Sequence, residues 1–296
     1  MAAPTAPTTT LIVTEAYRQF GISSPTAGQL ATAIAEGIEK VKRDIWAMGK
    51  RWKLLRTTQY IPIRKGVSRY ANPTDFETDM VEPGLSLLDG VHSGTLQTAA
   101  AGTADLAAAD TAVQDDAEGK LLLITSGTGV NQAEQIDDYN ATTKRATMRA
   151  NWGTTPVTGD GYLIVNRQKP IEKFPRTRRN LIERPGQMGE PYEAYDMAAG
   201  AAGFIELYPV PQMAYGLKRD YYANLLLVDI TGTLYPYILR NWAGVLTQGV
   251  LAWLYEGYND SRSQVAKVAY ANMLNFLKAR ELDGHDDSTL QQRVSE

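Results

Sequence analysis

The chain has 296 residues, 44% apolar and 21% charged, with 30 basic against 33 acidic residues for a formal net charge of -3. This is ordinary globular usage with room for a packed core, and it argues against bulk attraction to nucleic acid. Cysteine is absent and only His92 and His285 supply imidazole, which excludes disulfides, thiolate zinc sites and a cysteine nucleophile and leaves little for a histidine triad or multi-histidine metal centre.

Met1 to Thr10 is rich in Ala, Pro and Thr and lacks the basic and apolar regions of a signal peptide. No apolar run approaches the roughly 18 residues that cross a bilayer, so a soluble protein that assembles in a reducing cytoplasm, or does not need an oxidising one, is expected. Leu11 to Phe20 predicts a short helix ending at Gly21. Thr26 is a plausible N-cap for a second helical stretch reaching Met48, with Leu30, Ile34, Ile38, Val41, Ile45 and Met48 on one face. After Gly49, Leu55 to Arg64 and Val67 to Ala71 read as strands, Pro73 to Phe76 as a turn and Met80 to Val91 as an interrupted strand.

Composition shifts at His92. Residues 92–116 are dominated by Ala, Gly, Thr and Asp. Short strands are expected at Lys120–Thr125, Gln135–Tyr139, Arg145–Arg149 and Gly161–Val165, separated by turn-formers at close spacing, as in a small all-β module. Residues 167–191, rich in Arg, Lys and Pro, suggest a long loop or arm. Gly203–Pro209 and Leu217–Val228 read as strands. Two helices close the chain, one with Leu239, Trp242, Leu246, Val250 and Trp253 on its core face, the other with Val265, Ala269, Met273 and Phe276. The polar residues 284–296 show no core face and read as a flexible tail.

This order predicts an α+β fold: a helical bundle from the N- and C-terminal helices, a β-rich lobe and an inserted small all-β module. The expected division is a core of residues 1–91 plus 167–296, an insertion at 92–166 and the tail at 284–296.

Catalytic and cofactor constellations are not apparent. His285 lies among Asp283, Asp286 and Asp287 in a stretch that preorganises nothing on its own. Gly127-Thr128-Gly129 lacks the Gly-Lys-Ser/Thr ending of a phosphate loop and reads as a tight turn. Asp137-Asp138 and Asp115-Asp116 are neighbours whose carboxylates would point to opposite faces of a strand. No catalytic residue, metal site or cofactor is therefore assigned. The basic run Lys169, Lys173, Arg176, Arg178, Arg179 and Arg184 is either a solvated arm or a contact for phosphate or an acidic neighbour. A second basic group, from Lys40 to Arg56, is interleaved with Trp46 and Trp52, which read mainly as helix-end anchors and secondarily as base-stacking groups.

Two stretches carry a resemblance. Leu121 to Val165 is similar to a small β module that recurs in phage virion proteins: an ITSGTG strand and turn (Ile124–Gly129), Gln132, an I-x-D-Y strand (Ile136–Tyr139), Thr142–Thr147, then Trp152, Pro156, Tyr162 and Ile164. Asn131 stands where that module commonly has Gly. The surrounding frame, Trp52-Lys53-Leu54-Leu55, Tyr70, Pro73–Phe76, IELYPVP (Ile205–Pro211) and Tyr221-Tyr222, resembles the head-to-tail adaptor (connector) proteins of short-tailed bacteriophages. Ala71-Asn72 departs from the Leu-Pro common before the Asp-Phe turn.

The resemblance implies a non-enzymatic virion protein at the head–tail interface. It would form a ring of twelve copies that continues the DNA channel and lets genomic DNA pass without sequence specificity. Its partners would be the portal protein, a tail nozzle or tail fibre protein and further copies of itself; no membrane is implied. Portal binding falls to the C-terminal segment, with Arg280, Leu282, His285, Leu290, Gln291 and Arg293 as candidates. Channel or neighbouring-ring contact falls to Lys173, Arg176, Arg178, Arg179 and Arg184. Another tail component carrying the same module (nozzle, tube or decoration protein) is the main alternative, and a glycan-binding or wall-degrading tail protein the second.

Overall fold

A computed structural model describes residues 8–80, 84–112, 117–175, 186–197, 202–227 and 236–281. The chain divides into two units, one of residues 1–56 with 222–296 and one of residues 57–221.

The first unit is helical. α1, Thr9–Phe20, starts on the Thr8 hydroxyl, which accepts from the Leu11 amide, and closes at Gly21 with φ 110°. Thr26 and Gln29 exchange the two hydrogen bonds of a capping box at the start of α2, Ala27–Thr32. A π-helical stretch, Ala33–Ile38, then leads into α3, Glu39–Met48. The wider turn shifts the phase of the expected apolar face. Ile38, Val41 and Ile45 are buried, while Leu30, Ile34 and Met48 are only half-buried. α4, Pro236–Gly257, packs against α1 and against α5, Ser263–Glu281. Trp242, Leu246, Val250 and Leu254 of α4 are buried. The close approach needs Gly249, where a Cβ would lie 2.3 Å from Val41 Cγ2 and 2.9 Å from the Tyr270 ring. Trp52, fully buried, meets Trp242 edge-on at 5.6 Å and donates its indole N–H to the Gly49 carbonyl at 2.7 Å, so it anchors the chain leaving α3.

The second unit is built from strands. In order they are β1 Arg56–Ile63, β2 Arg69–Ala71, β3 Phe76–Asp79, β4 Leu85–Thr95, β5 Thr98–Ala100, β6 Thr103–Asp105, β7 Leu121–Ser126 and β8 Ala133–Asn140. Then come β9 Arg145–Met148, β10 Gly161–Pro170, β11 Glu172–Pro175, β12 Met188–Gly189, β13 Glu193–Asp196, β14 Phe204–Tyr208, β15 Val210–Pro211 and β16 Tyr215–Ala223. The main sheet runs β1-β16-β4-β10-β7-β8-β9-β6-β5, with β3 added beside β16. A four-stranded sheet, β11-β13-β14-β2, contains the parallel pair β11/β13.

The α+β helical bundle with an attached β lobe is overturned. The protein is mostly a curled antiparallel sheet and only 31% helical. The terminal helices do pack together, but they are the minor part. Periodicity within one segment does not show ladder pairing: stretches that look like loop by composition become strand because a neighbour supplies hydrogen bonds. Thus β4 runs through His92 to Thr95 along β10, and β10 continues to Pro170, inside the stretch expected to be an arm. β11, β12 and β13 arise in the same way.

Positions 92 and 166 fall within β4 and β10, whose ladder continues past them with register shifts at Ile164/Val165 and Val165/Gln168. The packing nevertheless changes there. Leu96, Leu106, Leu122, Ile124, Tyr139, Trp152 and Tyr162 belong to a core made wholly of residues between 92 and 166. Ile61, Ile63, Leu85, Leu87, Ile205 and Leu217 belong to a second core. Among the described residues no helix is long and apolar enough to cross a membrane.

Candidate assembly surface

Of the residues that invited a chemical reading, those of the Gly127 turn and His92 are engaged by the fold, Asp137 and Asp138 are exposed on β8, and Asp115, Asp116 and His285 lie outside the described residues. Gly127 has φ 86°, and a Cβ there would fall 1.9 Å from the Asp160 carboxylate. Only glycine admits that approach. Asp160 in turn accepts from the Val157 amide at 2.9 Å. Gln132 donates to the carbonyls of Gly129 (3.0 Å) and Thr154 (2.9 Å) and accepts from the Thr154 amide (2.8 Å), clamping the turn onto the loop after Trp152. The motif is therefore a closed hydrogen-bonded corner. His92 Nδ1 lies 3.5 Å from the buried Asp110 carboxylate, which also accepts from the Tyr162 hydroxyl and, at 2.7 Å, from the Ala112 amide. Burial and that carboxylate push the Tyr162 hydroxyl well above its ordinary pKa, so it stays a donor.

A second polar cluster links the main sheet to the four-stranded one. Arg219, with no exposed surface, forks onto Asp79 at 2.6 and 3.1 Å and onto Asn72 at 2.7 Å, and its guanidinium lies 3.9 Å from the Phe76 ring centre. Lys173 donates to the same Asp79 carboxylate. The cluster joins β3, β11 and β16, and it engages the one candidate channel residue that is described. Arg176, Arg178, Arg179 and Arg184 lie outside the described residues.

The basic group near Trp46 is similarly engaged. Lys40 meets Glu256 at 2.7 Å, Lys42 meets Glu39 at 2.8 Å and Lys50 lies 5.6 Å above the Trp46 ring. Hydrogen bonds from Lys40 and Lys267 hold Glu256 at a pKa of about 2. Its tie between α3 and α5 is thus complete above the ordinary carboxylate range and is lost as pH falls through about 2. Among the described residues no group of three or more His, Asp or Glu is placed to hold a metal.

Among the described residues, a face of α5 is left uncovered. Ala266, Tyr270 and Leu277 turn inward, with the Tyr270 hydroxyl donating to Asp44 at 3.1 Å. Val265 (73% exposed), Val268 (59%), Met273 (40%) and Phe276 (66%) face water together with Ala269. At 3.6 residues per turn their face is rotated by roughly a third of a turn from the packed one. The expected core stripe Val265, Ala269, Met273 and Phe276 is therefore an outer stripe. Periodicity located the face correctly as a face but not the side on which it is covered. Val268 also lies beside this stripe, three residues on from Val265.

Arg280 follows on this face. Its guanidinium lies 5.8 Å from the Phe276 ring, its Nε donates to Glu281 at 2.7 Å, and its carbonyl accepts from Lys53 at 3.3 Å. Leu282, His285, Leu290, Gln291 and Arg293 lie outside the described residues. Elsewhere in the helical unit an open groove of about 400 Å³ is lined by Tyr17, Gln29, Thr32, Trp253, Leu254 and Tyr258 among others. Tyr258 is 55% exposed.

Among the described residues nothing of its own unit covers this stripe, and contiguous exposed apolar surface commonly marks a binding face. No protein-family model matches the chain, and no curated protein matches it in sequence.

Proposed function

We propose that the protein is a structural subunit of a bacteriophage particle, a ring-forming adaptor that joins the portal to the tail and continues the DNA channel. The observation that carries this reading is the outward apolar stripe of α5, from Val265 to Phe276. A subunit that assembles needs such a face, depleted of charge at its centre and carrying an aromatic anchor. The motif resemblance supplies the setting in a virion, and the tyrosine-rich chain, with 16 residues of that type, suits an interface builder.

The segment from Arg280 through Leu282, His285, Leu290, Gln291 and Arg293 is the proposed portal-docking element. It directly continues α5, so subunit pairing and portal docking would be adjacent events. DNA would pass without specific contacts, in keeping with the net charge of -3.

The test mixes the purified chain with isolated portal rings and with DNA-filled, tailless heads, and counts bound copies by native mass spectrometry and electron microscopy. One added ring at the portal vertex, with a subunit count matching the portal, is expected. Binding to preformed tails or to the capsid lattice instead, with none to portal, overturns the adaptor role.

A further inference from the structure

We propose, resting on the reading that DNA passes this subunit, that a basic ridge of the helical unit binds the phosphate backbone of duplex DNA without regard to sequence. The formal charge of -3 hides a division of charge along the chain. Residues 57–221 carry 16 basic and 21 acidic residues. Residues 1–56 carry 8 basic and 4 acidic residues, and residues 40–56 hold seven of those eight basic residues against Asp44 alone. Lys173, the described candidate for channel contact, already sits on Asp79, so the density of positive charge lies in the helical unit instead.

Local structure lays these cations out in a row. Arg43 and Trp46, three residues apart on α3, share a face, and Lys50 Nζ lies 5.6 Å from the Trp46 ring. A 3-10 turn, Lys53–Leu55, follows. At three residues per turn it sets Lys53 and Arg56 on one side. Lys53 Nζ donates to the Arg280 carbonyl at 3.3 Å, which brings the last turn of α5, with Lys278, to the same place. Arg43, Lys50, Lys53, Arg56 and Lys278 are all exposed.

The contacts of the row differ in kind from those of its neighbours. Lys40 and Lys42 are paired with the carboxylates of Glu256 and Glu39. Lys50 rests over the Trp46 ring, and Arg56 lies 5.8 Å from the Tyr222 ring centre. Arg43 donates to the Glu39 carbonyl at 3.3 Å, and Lys53 to that of Arg280. Rings and carbonyls orient a cation and leave its charge in place. The negative end of the α5 dipole accounts for Lys53 and Lys278 by itself, but it gives no reason for Arg43 or Arg56. Spacing selects the ligand. Arg43 to Met48 covers about 8 Å of helix at 1.5 Å per residue, and Lys50 to Arg56 extend the row. Duplex DNA carries a phosphate every ~3.4 Å along each strand, so a row of separated cations suits it, whereas a single carboxylate or free phosphate would meet one of them. The chain beyond Leu282 carries Asp283, Asp286, Asp287 and Glu296 against Arg293 and follows directly on α5, which makes it a competing anion for the ridge.

The test titrates the full chain, and a second chain ending at Leu282, with a fluorescent DNA duplex and reads anisotropy over a series of salt concentrations. Binding that is indifferent to the duplex sequence and falls as salt rises is expected, tighter for the shorter chain. Arg43→Gln, Lys50→Gln and Arg56→Gln together should lower the slope of log affinity against log salt by about 2.7, at about 0.9 per phosphate contact. Arg64→Gln, Lys65→Gln and Arg149→Gln, at three exposed cations of the β unit, should leave that slope unchanged. Urea unfolding checks that both triple variants are folded. Should the ridge variant be unstable, Lys50→Gln alone is read, with an expected loss of about 0.9 in the slope. An unchanged slope in the ridge variant, no binding by either chain, or equally tight binding of poly-glutamate of matched charge overturns the DNA site. Each of these results leaves the ring reading standing, since that is decided separately on portal rings.

Discussion

In the β unit, Gln132, Asp160 and Asp110 hold their own turns closed, and Arg219 sits wholly enclosed on Asp79 and Asn72. In the helical unit, α5 fully buries Ala266, Tyr270 and Leu277 and leaves Val265, Val268 and Phe276 to water. The Gly127 turn, His92 and Lys173, which look like chemistry in the sequence, are thus accounted for by folding. The residues that look like ordinary core are the ones folding leaves unexplained. For an assembling subunit this inversion is informative, because an interface is a core whose other half belongs to another chain.

The contrast can be broken by substitutions that should act on folding in one unit and on assembly in the other. The largest folding effect is expected from Arg219→Met, which leaves the Asp79 carboxylate without its two-pronged partner in a buried site. A loss of about 3–5 kcal/mol in denaturant unfolding is expected, and Arg219→Met combined with Asp79→Leu should recover part of it. Gly127→Ala should cost at least about 2 kcal/mol, from the positive φ and the collision with Asp160. Were Gly127→Ala as stable as the parent, the turn would not be the tight corner described. Gln132→Ala removes three hydrogen bonds to backbone and should cost about 1–2 kcal/mol, read as a shift of the urea midpoint. Phe276→Ser should change folding stability by no more than about 0.5 kcal/mol, as an exposed substitution, while abolishing ring formation on the portal. A strongly destabilised Phe276→Ser would mean that the stripe serves the monomer after all.

Parts of this picture were legible from residues alone. Gly21 and Thr26 mark helix ends because their caps are local, needing only neighbours within four positions. β7 declares itself by its compact apolar run, and β8 and β9 by short stretches between closely spaced turn-formers. The π-helical stretch after Thr32 was not legible, since Ile34, Ile38 and Val41 keep helical spacing whether or not a turn is widened. β11 and β13 were not legible either. Their four-residue pairing is parallel and non-local, and Glu172 to Pro175 has no alternation of its own to show. Non-local pairing of this kind hid the dominance of the sheet and favoured a bundle. Of the candidate site, Arg280 and Lys173 can be placed, one on the outer face of α5 and the other on Asp79. The outward stripe could be read as a stripe, but spacing says which residues share a face and nothing about what covers it.

The central claim, that the α5 face exists to be covered by another subunit, is tested most directly by hydroxyl-radical footprinting of Met273 and Phe276. The free chain would be compared with the chain assembled on portal-bearing heads, with exposed Tyr192 of the β unit as reference. The account predicts fast modification of both side chains in the free chain and strong protection of both on assembly, at an unchanged rate for Tyr192. Equal modification of Met273 and Phe276 in the free and assembled states would contradict it.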